Sequence, residues 1–230
     1  MTEKILIVIQ ARLGSRRLPR KVLADIDGRP LIEHVVERVR AIQESRYVVA
    51  AIPRGDEDLL RVLTSLHVDT ITAEEDDVLS RFGLAAQLHQ AEIVVRITGD
   101  CPLFDPTAAD EVIKVMLDRP GLLYASNDTR VSGWPDGTDV EVFRRSVLDR
   151  AVSMTTLSSV DREHVTSVIR RWTHGGHIVR RPMDEVSSSK LSIDTAEDLE
   201  WLRQLWVASP LRGYTLRHTT TAMLDMSRKR

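Results

Sequence analysis

The sequence predicts an α/β fold with a mostly parallel central sheet flanked by helices. Two observations carry this reading. Short unbroken apolar runs such as Ile5-Leu-Ile-Val-Ile9 fit strands buried on both faces. From Ile5 to Leu117 such runs alternate with segments of helical period, which implies right-handed βαβ crossovers.

The elements follow in order. Ile5 to Ile9 is the first strand, and Gln10 to Arg20 is a loop rich in Gly, Ser, Arg and Pro. Asp27-Gly28 marks a turn, and Pro30 suits the first position of a helix with Leu31, Val35, Val36 and Val39 on its apolar face. Tyr47 to Ile52 is a strand, and Asp56 is placed to cap a helix carrying Leu59, Leu60, Leu63 and Leu66. Val68 to Ile71 is a short strand, Asp77 to His89 a helix and Ile93 to Ile97 a strand closed by Gly99-Asp100-Cys101-Pro102. Pro106 opens a helix through Leu117. Beyond it come a strand at Leu122 to Ala125, a loop to Thr138 and an alternating strand from Asp139 to Phe143. Helices over Ser146 to Met154 and Asp161 to Trp172 precede an edge strand at His177 to Arg180. Leu191 to Ile193 reads as a strand ending at Asp194, and Thr195 caps a helix through Leu205. The tail from Tyr214 fits neither period.

A chain of 230 residues, 42% hydrophobic and 29% charged, can bury a sizeable core, which excludes wholesale disorder. With no linker and no internal repeat, residues 1–230 are expected to form a single domain. A net charge of -2 argues against a nucleic-acid partner. No apolar run approaches the roughly 20 residues of a membrane span, and the first apolar run is too short for a signal-peptide core, so a cytoplasmic protein is expected. The single cysteine, Cys101, excludes an intrachain disulfide and a cysteine-rich metal site. The chain favours arginine, with only five lysines, so Lys21 inside an arginine-rich loop stands out.

In parallel sheets ligands bind at the carboxyl ends of the strands, where the polar motifs of this chain fall. After the first strand, Gln10-Ala-Arg-Leu-Gly-Ser-Arg-Arg-Leu-Pro-Arg-Lys21 suits a polyphosphate: guanidinium groups grip oxygens in pairs, and lysine gives a compact charge. It lacks the Walker spacing, and its plain alternative is a solvated basic loop. Asp100, framed by Gly99 and Pro102, suits Mg2+, which takes one or two carboxylates plus phosphates; its alternative is a turn residue. Asp194 ends a second apolar run, and Thr195 with Asp198 fits a capping box. The pair Asp100 and Asp194 would repel without metal, so removing one should leave the fold intact or slightly stabilise it. Asp139 and Glu141 share a strand face, with outward solvated carboxylates as the alternative. Asp161 and His164 stand at helical spacing.

Taken together these segments resemble the cytidylyltransferase family. The loop Gln10 to Leu23 carries the likeness, joined in order by Asp77-Val-Leu-Ser-Arg81, Val95-Arg-Ile-Thr-Gly-Asp-Cys-Pro-Leu103, Asp136-Gly-Thr-Asp-Val-Glu-Val-Phe143, Arg162-Glu-His-Val-Thr166 and Ser192-Ile-Asp-Thr-Ala-Glu-Asp-Leu199. The family includes synthetases that activate 3-deoxy-manno-octulosonate and acylneuraminates as CMP sugars, and the branch most alike is the spore coat polysaccharide biosynthesis protein F type. The resemblance implies a nucleotide-diphospho-sugar transferase (Rossmann-like) fold and transfer of CMP from CTP, with release of pyrophosphate. The acceptor would be an oxygen nucleophile of a sugar acid, a sugar or polyol phosphate, or a phosphonate.

By the same resemblance Ala11, Arg12, Gly14, Ser15, Arg17, Lys21, Arg81, Thr98 and Asp100 would contact the nucleotide, with Arg12, Arg17 and Lys21 holding the phosphates in catalysis. Asp100 and Asp194 would hold Mg2+. Arg96, Asp139, Glu141, Arg162 and His164 are the residues assigned to a small anionic or polyhydroxylated acceptor; homodimerisation is left open. Arg20 departs from the family, where glycine is usual before the lysine. Alkylation of Cys101, next to Asp100, is expected to obstruct the site. The rival readings are a glycosyltransferase of the same broad fold, which typically shows an Asp-x-Asp motif, and a nucleotide-binding protein without turnover.

Overall fold

A computed structural model describes residues 3–44, 47–181, 183–184 and 187–208. The tail from Tyr214 lies outside them. The strands are β1 (Ile5–Gln10), β2 (Asp25–Ile26), β3 (Arg29–Pro30), β4 (Tyr47–Pro53), β5 (Asp69–Ala73), β6 (Ile93–Thr98), β7 (Tyr124–Ser126), β8 (Glu141–Arg144) and β9 (His177–Ile178). The helices are α1 (Leu31–Arg40), α2 (Glu57–Ser65), α3 (Val78–Leu88), α4 (Pro106–Asp118), α5 (Arg145–Ser153), α6 (Ser159–His164), α7 (Ser167–Trp172) and α8 (Ala196–Ala208).

Seven strands form one sheet in the order β5-β4-β1-β6-β8-β7-β9, and all pairings are parallel except those made by β8. β1, β4 and β6 match the expected buried runs, and β5 overlaps the expected short strand. Along β1, Ile5, Ile7 and Ile9 join a core with α1, α2, α4 and α8. Leu6 and Val8 join a second core with α3, α5 and α7 on the other face. Every one of these five side chains is buried, as a two-sided parallel strand requires.

The chain runs from β1 outward to β4 and β5, then returns to place β6 on the other side of β1. This reversal opens a crevice between the carboxyl ends of β1 and β6. β7 then runs parallel to β6 but one position away, and β8 comes back between them. The connection over residues 127–140 therefore crosses the same carboxyl edge. Asn127 pins it: its amide donates to Thr138 O at 2.7 Å, and its side-chain oxygen accepts from Val140 N at 2.8 Å.

Several local expectations are corrected. Pro30 is the cap of α1 rather than its first helical residue, because residues 25–26 and 29–30 first close a small hairpin around Asp27-Gly28. The single helix expected over Asp161 to Trp172 is two, broken at Val165, whose φ of 53° cannot continue a helix. Asp139 precedes β8 instead of lying in it.

Leu191 to Ile193 is not a strand of the sheet. It is held by loop contacts: Leu191 N donates to Asp136 O at 2.8 Å and Ile193 N to Asp100 O at 2.9 Å. Gly137, at φ +89°, lets Asp136-Gly137 lie against this segment; a Cβ there would stand 2.4 Å from Ser192 N. Gly137→Ala should therefore destabilise the protein by about 3 kcal/mol, combining left-handed strain with a backbone clash. Urea unfolding checks this, and a loss below about 1 kcal/mol would mean that the segment is not held as tightly as this contact implies.

Candidate active site

The loop leaving β1 is fixed by backbone contacts before it presents any charge. Asp56 does not cap α2 through its side chain; its carboxylate accepts from Leu13 N at 2.7 Å and ties the loop to α2. Arg20 N donates to Leu13 O at 2.9 Å. Arg20 itself adopts φ 61°, the left-handed conformation that glycine takes at least cost. The backbone path is thus one that suits the family's usual glycine, while the Arg20 side chain turns away to Asp58. The tight 3-10 turn Lys21–Leu23 follows and buries Lys21.

Lys21 Nζ reaches Asp100 Oδ2 at 2.6 Å, Asp194 Oδ1 at 3.0 Å and Ile193 O at 2.7 Å. One ammonium therefore joins the end of β6 to the segment before α8. Asp194 also meets Arg17 at 2.8 Å and Lys190 at 3.3 Å. Burial opposes ionisation of Asp194, but the Lys21 and Lys190 ammonium groups outweigh it and hold its carboxyl below the usual range. The capping box at α8 is complete: Asp198 Oδ2 accepts from Thr195 N, and Thr195 Oγ1 accepts from Asp198 N. Asp198 also accepts from Asp194 N at 2.9 Å, so the cap helps to aim Asp194.

Two cavities meet at this pair. The first, about 590 Å³, is lined by the loop and by Arg81, Arg96, Thr98, Asp100 and Asp194. All nine residues assigned to the nucleotide, Ala11, Arg12, Gly14, Ser15, Arg17, Lys21, Arg81, Thr98 and Asp100, line it. Arg12 crosses it to Glu163 at 2.9 Å. Arg81 is almost wholly buried and donates to the Glu74 and Glu75 carbonyls, while its Nε has no partner among the described residues.

The second cavity, about 530 Å³, lies under the 127–140 connection. Asp139 and His164 line it, with Arg130 and Arg170, both paired to Asp128. Arg96, Thr98, Asp100 and Asp194 line both cavities.

The structure places some acceptor residues differently from the sequence reading. Arg162 lines neither cavity; it binds Asp77 at 2.7 Å and Ser80 Oγ at 3.0 Å, tying α6 to the start of α3. Neither Asp139 nor Glu141 is an outward solvated carboxylate. Asp139 accepts from Thr129 Oγ1 at 2.8 Å, and burial pushes its carboxyl up. Glu141 is buried and fully engaged by Arg96, Tyr124 and Thr166.

Cys101 is buried too, 3.1 Å from Thr98 Oγ1, and burial beside Asp100 raises its thiol well above the ordinary value. The thiolate is the reactive form, so the alkylation expected to obstruct the site should be slow. Iodoacetamide at pH 8 should modify native Cys101 at least about tenfold more slowly than the unfolded chain, as mass spectrometry can read. Equal rates would mean an open thiol.

Sequence reading did not nominate Glu163, Arg130, Arg170 or Asp136. Glu163 lay inside a recognised segment, but nothing in its spacing announced a partner in Arg12, 151 positions away.

An α/β sheet with basic groups and two carboxylates gathered at its switch point has a crevice suited to an anionic ligand. Known proteins give the particular class. The cytidylyltransferase family model matches residues 6–214, and the chain belongs to that family. It is 30% identical over 216 residues to the spore coat polysaccharide biosynthesis protein SpsF of Bacillus subtilis, covering 88% of this chain and 86% of that protein. It is 36% identical over 129 residues to the 3-deoxy-manno-octulosonate cytidylyltransferase of Trichlorobacter lovleyi, covering 56% of this chain and about half, 51%, of that protein. A solved cytidylyltransferase from Leptospira borgpetersenii superposes with a TM-score of 0.84 at 26% identity, covering 99% of this chain and 95% of that one. Among the described residues no helix is long and apolar enough to cross a membrane.

Proposed function

We propose that the protein transfers CMP from CTP to an oxygen nucleophile of a sugar acid or a related anionic sugar or polyol, releasing pyrophosphate. One observation carries this reading: two cavities share a border made of Arg96, Thr98, Asp100 and Asp194. A nucleotide in the first and an acceptor in the second would meet there.

Arg12, Arg17 and Lys21 bind the β and γ phosphates and neutralise charge on the leaving pyrophosphate. Arg81 and Thr98 line the remainder of the nucleotide cavity. Asp139 and His164 face the acceptor, and Arg96 stands at the border of the two cavities. Much of the rate would come from holding the two reactants in line at the shared border.

Asp100 and Asp194 both reach the Lys21 ammonium, and such a carboxylate pair fits Mg2+, a hard ion that takes oxygen donors and keeps sites for phosphates. Asp100 and Asp194 would hold it, and when bound it supplies charge neutralisation at the phosphates.

A glycosyltransferase of the same broad fold is less well supported. An Asp-x-Asp pair is absent at the end of β6, and the second carboxylate comes from a distant segment. A binding protein without turnover would have no use for the second cavity. The deciding experiment is a pyrophosphate-release screen with four nucleoside triphosphates and Mg2+ against sugar acids, sugar and polyol phosphates and phosphonates. The expected result is release with CTP and one acceptor class. Hydrolysis of a nucleotide sugar without pyrophosphate release would favour the rival.

A further inference from the structure

Among the described residues, Arg96 is the one basic side chain that lines both cavities. Its surroundings are unusually constrained. It stands on β6 with its side chain only 15% exposed. Its Nε donates to Gln10 Oε1 on β1 at 2.8 Å, and its Nη1 donates to Glu141 Oε2 on β8. The register sets the second contact directly, because Arg96 and Glu141 are opposite partners in the β6–β8 ladder.

Glu141 is itself held. Its Oε1 accepts from Tyr124 OH on β7 at 2.6 Å, and its Oε2 accepts from Thr166 Oγ1 at 2.9 Å. Four strands therefore contribute to one guanidinium position. With Nε and Nη1 used, Nη2 has no partner among the described residues, and it is not among the buried unpaired atoms. An accessible donor pair is left at the border of the cavities.

We propose that Glu141 is a positioning residue: it locks Arg96 so that Nη2 meets a non-bridging oxygen of the α-phosphoryl group during CMP transfer. The proposal rests on the CMP-transfer reading above. Negative charge is spread over the equatorial oxygens of that phosphoryl group as the acceptor oxygen bonds and the bond to pyrophosphate breaks, and a donor fixed in advance stabilises that state most. Net charge alone would act with the opposite sign. Removing a carboxylate makes the border more positive and would favour an anionic ligand, so a loss on neutralising Glu141 reports orientation.

The test is a double-mutant cycle of Glu141→Gln, Arg96→Lys and both together, by calorimetric titration with CTP and steady-state pyrophosphate release. In each single variant kcat should fall about 10- to 100-fold while KM for CTP changes less than about threefold, the signature of an interaction made in the transition state. The double variant should be little slower than Arg96→Lys. A Glu141→Gln protein with a lowered melting temperature but unchanged kcat per folded molecule overturns the proposal in favour of a structural role. Fully additive losses overturn it as well, because Glu141 would then not act through Arg96. If the wild-type protein binds no CTP, the CMP-transfer reading fails and this proposal falls with it.

Discussion

Lys21→Ala should remove most turnover and also weaken the fold. Lys21 is 8% exposed, and its ammonium has three oxygen acceptors within 3.0 Å. On the CMP-transfer reading its loss takes away a phosphate contact, which should lower kcat/KM by about 2–4 kcal/mol, typical of one preorganised charge at a transition state. It also leaves two half-buried carboxylates facing each other and a carbonyl unpaired, at a cost of about 2 kcal/mol or more. Lys21→Arg should restore little of either, because a planar guanidinium cannot take the place of a point charge among three convergent oxygens. Thermal melts and pyrophosphate-release kinetics read the two effects separately. Wild-type kinetics in both variants would remove Lys21 from the site.

Asp100→Asn and Asp194→Asn should each cost two or more orders of magnitude in Mg2+-dependent turnover, the scale of losing about 3 kcal/mol of transition-state stabilisation. Their effect on the metal-free fold reverses the expectation drawn from sequence. Two bare carboxylates would repel, and removing one would then relieve strain. In the structure Lys21 stands between them, and Asp194 holds Arg17 and Lys190 besides. Both substitutions should therefore lower the melting temperature, Asp194→Asn more than Asp100→Asn. A rise in melting temperature for either would show that repulsion outweighs the bridge.

Asp198→Asn is the comparison. It should cost about 1 kcal/mol of stability as a lost cap. Because Asp198 also accepts from Asp194 N, turnover should fall too, but far less than in Asp194→Asn. If Asp198→Asn stops turnover and Asp194→Asn does not, the second metal carboxylate is Asp198.

Local pattern was enough for the first half of the fold apart from the hairpin at residues 25–30. β1, β4 and β6 are buried on both faces, and such strands show as unbroken apolar runs. α3 and α4 carry Asp77 and Asp105 as working caps, accepting from Ser80 N and Thr107 N. The pattern loosened from residue 122 on, where strands are two to four residues long and their pairing is non-local. The break at Val165 left no glycine or proline as a signal.

The sequence by itself determined the fold class, the family and the residues that gather at the first cavity, since a strand followed by a polar loop places that loop at the carboxyl edge. It also singled out Lys21 by composition. Only the tertiary structure decided what those groups do to one another. Asp56 fits a helix cap by spacing yet anchors the loop at Leu13. Arg162 sits in a recognised segment yet serves α3. Glu141 has the alternation of an outward carboxylate yet is buried against Arg96, 45 positions away. Each is a charged side chain whose partner comes from another element, and pairing across a sheet is set by register and crossover, which no local run of residues records.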